Sequence, residues 1–118
     1  MIYYSFTVKD KEYKARLTAK TCIDLEKKLG TNPLNVMMSM DEKKMPSLDV
    51  LITILHYSLV QYQHGLTLDG TYAVYDDMVD EGKGIADLLN IIIEIFRVSG
   101  FIPDATTAEA EAEAEKNA

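Results

Sequence analysis

The sequence predicts an α+β fold: an N-terminal β-hairpin packed on a mainly α-helical body of about four helices, with a fraying acidic C-terminal tail. Three observations lead there. Residues 3–17 alternate apolar and polar side chains around a short polar turn. Residues 18–102 change to helical spacing, interrupted by glycines and prolines, and residues 104–118 contain no large apolar side chain. The body is therefore one domain, 1–103, followed by an Ala/Glu-rich tail, 104–118.

Tyr4, Phe6 and Val8 alternate with Tyr3, Ser5 and Thr7. After a polar turn at Lys9-Asp10-Lys11, Tyr13, Ala15 and Leu17 alternate with Lys14 and Arg16. This is the period of strands with one wet and one apolar face. Two strands are unstable alone in water, so helices must cover the apolar face. Thr18 or Thr21 caps the first helix, whose stripe is Cys22, Leu25 and Leu29 with Ile23 beside it. Gly30 stops it, and Pro33 follows. A short turn over 33–38 and a polar loop over 39–46 lead to Pro46-Ser47, which opens a second long helix ending near His64. A third helix runs from Asp69 or Thr71 to Glu81, before Gly82-Lys83-Gly84. The fourth runs from Ile85 to Ser99, with Gly100 as its stop.

The fourth helix confines Asp87, Asn90, Glu94 and Arg97 to one thin stripe and is apolar elsewhere. A surface helix of a small domain leaves about half its circumference to solvent, far more than this one. The second helix is similar, with Asp49, Thr53, His56 and Gln63 on its wet side. Two explanations fit. Both helices lie at the centre of the domain, or part of their surface is covered by another chain.

Charge narrows the function. Nineteen acids against twelve bases leave −7, with no Lys/Arg cluster of the kind that neutralises nucleic-acid phosphates. Four of the seven net negative charges fall in 104–118, where glutamates repel at i and i+4 and nothing apolar offsets the entropy of ordering. No apolar run approaches the ~20 residues of a membrane span. The start, MIYYSFTVKDKEYK, lacks the charged end and continuous apolar core of a signal peptide. A cytoplasmic domain is expected, with no membrane and no nucleic-acid partner.

No catalytic set emerges. The single cysteine, Cys22, sits on an apolar stripe and reads as a small buried hydrophobe. It permits no internal disulfide and no Cys-based zinc site. His56 and His64 are about two helical turns apart, too far to share a metal. Asp76, Asp77, Asp80 and Glu81 follow helical spacing and read as a solvated face, not a cation loop. Gly82-Lys83-Gly84 lacks the glycine spacing and the Ser or Thr of a phosphate loop. No cofactor, metal or enzyme activity is expected. Met37, Met38, Met40 and Met45 crowd one segment, and seven tyrosines, among them Tyr57, Tyr62, Tyr72 and Tyr75, would suit a contact surface.

The order of blocks carries a resemblance. YYSFTVKDKEYKARLTAKTCIDLEKKLGTNPL is followed by LDVLITILHYSLVQYQHGLTLDGTYAVYDDMVDEGKG and then IIEIFRVSGFI. Over residues 2–102 the chain resembles the tail assembly chaperones of long-tailed phages and prophages of Gram-positive hosts. The resemblance implies a non-enzymatic factor that binds the tape-measure protein, keeps it soluble and promotes assembly of the tail tube around it. It implies action in the host bacterial cytoplasm and absence from the mature virion. The tail tube protein and a longer frameshifted form of the chain are further implied partners. Glu115-Lys116-Asn117 can be encoded GAA-AAA-AAC, which contains the slippery string A-AAA-AAC; a gene reading GAG-AAG-AAT there would remove that idea.

Such a factor works through surfaces. The expected client contacts are the apolar faces of the second and fourth helices, Leu51, Leu55, Ile92, Ile95 and Phe96. Met37, Met38, Tyr62, Tyr72, Tyr75 and Phe101 join them, and homo-oligomerisation through the same faces is the competing use. A different class is a small acidic inhibitor or charge mimic binding a basic partner. Truncation after Ile102 separates the two, because a charge mimic loses binding with the tail and a chaperone keeps it.

Overall fold

Two consecutive residues with positive φ, Lys9 (47°) and Asp10 (64°), reverse the chain in the computed structural model, which describes residues 2–39 and 45–102. Left-handed conformation at both central positions is the geometry of a two-residue hairpin turn whose twist matches its strands. It joins β1 (Tyr4–Val8) to β2 (Lys11–Ala15) in antiparallel register, with Tyr4 opposite Ala15, Phe6 opposite Tyr13 and Val8 opposite Lys11. Lys11, expected in the turn, is thus the first residue of β2. The apolar face follows the expected alternation, with the Phe6 and Tyr13 rings stacked at 5.5 Å.

Among the described residues, five helices follow: α1 (Ala19–Leu29), α2 (Pro33–Met38), α3 (Leu48–Leu59), α4 (Leu68–Asp80) and α5 (Ile85–Val98). The two candidate caps of α1 act together. The Thr18 hydroxyl accepts from the Thr21 N–H at 3.2 Å, and the Thr21 hydroxyl accepts from the Thr18 N–H at 2.9 Å, a reciprocal box that makes Thr18 the N-cap. Residues 33–38, expected as a turn, form a short helix because Pro33 is preset for its first position and Asn32 accepts from Leu34 N–H at 2.8 Å. α4 begins earlier than expected, since Thr67 caps it by accepting from Gly70 N–H at 3.0 Å.

α3 ends at Leu59 instead of near His64. The Gln63 side chain turns back and donates to Leu59 O at 2.6 Å, tightening the chain after the last helical turn. α5 closes with Phe101 N–H on Phe96 O at 2.9 Å, Gly100 supplying the positive φ of 88° and the Phe101 ring packing edge-on against Phe96. This is the Schellman arrangement, with its customary apolar contact across the helix end.

α3 is the hub. It packs against α1, α4, α5 and β2, while β1 lies on α5 and α4. Every residue from Leu51 to Leu55 is buried. Leu51, Ile54, Leu55 and Leu59 meet Leu88, Ile92, Ile95 and Phe96 of α5 in one core that also takes in Leu25, Ala15 and Met78. The apolar excess of the second and fourth expected helices belongs to central helices. Among the described residues, no helix is long and apolar enough to cross a membrane. The acidic tail 104–118, Met40 and the Glu115-Lys116-Asn117 site lie outside the described residues.

Candidate functional site

Five of the expected client contacts are corrected by their position. Leu51, Leu55, Ile92, Ile95 and Phe96 are wholly buried inside the chain's own core, where no partner can touch them. Met37, Tyr75 and Phe101 are half-buried packing against that core. Tyr62 is half-buried with its ring 5.6 Å from that of Tyr3. Only Met38, 75% exposed, and Tyr72, 38% exposed, present their side chains to solvent. Met38 ends α2, and Met45 and Leu48, also exposed, precede and open α3.

Among the clefts of the described residues, two lie where different elements meet. One, about 320 Å³, runs between β1 and α5; Tyr4, Phe6, Thr7 and Val8 form one wall, Asp87, Asn90, Ile91, Ile93 and Glu94 the other, with Met78 and Lys83 at its margin. Its two acids are engaged within the chain. Asp87 accepts from Gly84 N–H at 2.8 Å as part of the α5 cap, and Glu94 pairs with Arg97. The second cleft, about 370 Å³, lies where the start of α1 meets the end of α5, and Cys22, Glu26, Arg16 and Ser99 line it. Burial, and then the hydrogen bond to Glu26, pushes the Cys22 thiol up to about 11. It stays protonated at neutral pH, and a protonated thiol is a poor nucleophile.

The acidic end of α4 is the expected solvated face, and it also receives a lysine from the hairpin. Lys9 Nζ lies 3.1 Å from Asp77 and 3.0 Å from Asp80, and Lys9 N–H donates to Glu81. Hydrogen bonds to Asp80 and Asp77 raise the Lys9 pKa above its ordinary value. Acids in the last turn oppose the helix dipole, and a lysine from the hairpin offsets them. His56 Nδ1 meets the Thr71 hydroxyl at 2.9 Å between α3 and α4, and burial lowers the His56 pKa. Among the described residues, no group of three or more His, Cys, Asp or Glu side chains is placed to hold a metal ion.

A family model, the family of unknown function DUF6096, matches residues 4–117. The chain belongs to DUF6096. No curated protein and no solved structure matches it. The DUF6096 match spans the hairpin, all five helices and most of the Ala/Glu stretch, so it treats as one unit what composition divides at residue 104.

The sequence reading overlooked the β1 cleft and the Lys9 cluster. A signal for the first was present: Tyr4 to Val8 alternates without a single charged residue, unlike Lys11-Glu12-Tyr13-Lys14. The second carried none, since residues 9 and 77–81 are far apart in the chain and each group is ordinary alone.

Proposed function

We propose that this DUF6096 chain is a non-enzymatic tail assembly chaperone that binds the tape-measure protein and keeps it soluble while the tail tube assembles. It works in the host bacterial cytoplasm and is absent from the mature virion; the tail tube protein and a frameshifted longer form of the chain are its further partners. The ordered blocks over residues 2–102 support this reading. The observation that carries it to a surface is the exposure of Met38 at the end of α2 and of Met45 and Leu48 at the start of α3, on a chain of net charge −7. Flexible thioethers adapt to irregular apolar clients, and surplus negative charge opposes precipitation. With the apolar sides of α3 and α5 occupied by the core, the candidate client contacts are these exposed residues and Tyr72.

The charge-mimic reading is the weaker one. Its densest acidic group in the body, Asp77, Asp80 and Glu81, is occupied by Lys9. Co-expression with tape-measure fragments, followed by soluble pull-down, tests the proposal. A fragment should become soluble only with the chain and co-elute with it. The double substitution Met38→Glu/Leu48→Glu should abolish rescue while leaving the fold intact. Rescue unaffected by that pair refutes these contacts, and no rescue of any fragment refutes the function.

A further inference from the structure

The two edges of the hairpin are unlike each other. In a two-residue hairpin the pair beside the turn, Val8 and Lys11, exchanges ladder hydrogen bonds, so alternate residues along each strand aim their N–H and C=O outward. On β2 the outward residues are Glu12, whose charge guards the edge, and Lys14, which is already paired. Gln63 accepts from its N–H at 3.0 Å and donates to its C=O at 2.9 Å, as a neighbouring strand would. Arg16 N–H, next in that row, donates to Ser58 O at 2.9 Å. On β1 the outward residues are Ser5 and Thr7, both exposed, and among the described residues their backbone groups have no partner. β1 also contains no charge, proline or glycine. Folded proteins guard such edges with charge, proline or cover, and an open, uncharged, β-prone edge is a template for another strand.

We propose that β1 pairs antiparallel with β1 of a second copy of this chain, forming a four-stranded sheet across a two-fold axis at Phe6. The strand's inward and outward pattern is symmetric about that residue, with the hydroxyl residues Ser5 and Thr7 on either side and the inward Tyr4 and Val8 beyond. The two-fold sets Ser5 opposite the partner's Thr7, and Thr7 opposite the partner's Ser5, giving two hydroxyl pairs on the outer face. On the inner face Phe6 meets the partner's Phe6, and Tyr4 the partner's Val8, over the cleft between β1 and α5. Of the registers that keep rings inward, this one alone pairs all five residues of the strand. A closed two-fold interface consumes both open edges and leaves no template for further growth. The edge is the uncharged strip of an acidic chain, so two copies meet there with little repulsion across the ladder. The dimer needs no tape-measure protein.

Sedimentation equilibrium of the full chain over a concentration series reaching the high micromolar range tests the pairing. Wild type should move from monomer to dimer mass. Ser5→Lys/Thr7→Lys places like charges opposite each other at two sites on the exposed face and should weaken association about ten-fold or more. Ser5→Glu/Thr7→Lys creates two opposite-charge pairs between copies in this register only, sets opposite charges across from Lys14 and Glu12 within the chain, and should keep association. Amide exchange on wild type gives an answer that does not depend on the variants folding: Ser5 and Thr7 should gain protection with concentration, while Phe6 is protected throughout. A monomer at every concentration overturns the proposal and leaves the edge for an extended segment of another protein. A dimer indifferent to Ser5→Lys/Thr7→Lys, or one that Ser5→Glu/Thr7→Lys weakens as much as the double lysine, overturns it too.

Discussion

The hairpin is fastened to the helices in two physically different ways. β2 is held by neutral hydrogen bonds to part-buried groups: Gln63 on Lys14, Ser58 O on Arg16, and the Ser99 hydroxyl accepting from Leu17 N–H at 2.9 Å just beyond the strand. The turn at the end of β1 is held by charge in water, Lys9 between Asp77 and Asp80. Neutral bonds away from solvent persist at any ionic strength, and breaking one leaves the other group unsatisfied. Exposed ion pairs are weak and screened by salt. The β2 edge is therefore the anchored one, and the β1 strand, packed on α5 and α4 by its inner face, keeps its outer edge open.

Removing the support beneath the anchor should have the largest effect. Leu55 is wholly buried on α3, the helix that carries β2, so Leu55→Ala should cost about 2–5 kcal/mol in urea unfolding. Met38→Ala, at an exposed site, should stay within about 0.5 kcal/mol of wild type. A small loss at Leu55 would contradict the central position of α3. Next comes the anchor itself. Gln63→Ala leaves the Lys14 N–H and C=O without their amide partner and should cost about 1–3 kcal/mol, with faster amide exchange at Lys14. Gln63→Glu should also destabilise, since a carboxylate cannot donate to Lys14 O or Leu59 O.

These two residues also show what could be read in the sequence. The hairpin and the long helices were legible because their apolar periods are strong, and Thr18, Gly30 and Gly100 mark ends by local chemistry that a linear reading captures. Leu55 was legible as apolar, but whether it faces core or client depends on which helices surround α3. That is a tertiary fact, and it moved five expected contacts inward. Gln63 falls on a wet stripe in the sequence, and its partner, Lys14, lies in a different element. The β1 edge was half legible: its lack of charge is in the sequence, whereas its lack of a neighbour emerges only once Gln63 is seen to cap the other strand.

Acidity should separate neutral from charged fastenings. Burial lowers the His56 pKa below its ordinary 6.5, so the unfolded chain takes up this proton first. Stability should therefore fall as pH drops through about 6.5, because the neutral ring in contact with Thr71 is the folded form. His56→Gln should flatten that part of the profile relative to wild type, read as unfolding midpoint against pH. An unchanged slope would mean that His56 is as well solvated folded as unfolded. The effect should be smaller than at Gln63, since His56 is only partly buried.

The smallest effect should be at Lys9, where two influences oppose each other. Lys9→Ala removes the ion pairs but keeps a β-carbon at φ 47°, in the left-handed region that disfavours L side chains. Lys9→Gly removes the same pairs and also the steric cost of that conformation. In low salt both variants should lose the electrostatic contribution, with glycine the more stable of the two. In high salt the alanine variant should approach wild type, because screening has already weakened the pairs. Glycine should then match or exceed wild type. The folded pKa of Lys9 is raised, so its contribution is complete at neutral pH and lost only as pH climbs above the ordinary 10.5. No loss in either variant at low salt would instead locate the holding force in the Lys9 N–H bond to Glu81, which both keep in the backbone and which Glu81→Gln would then weaken.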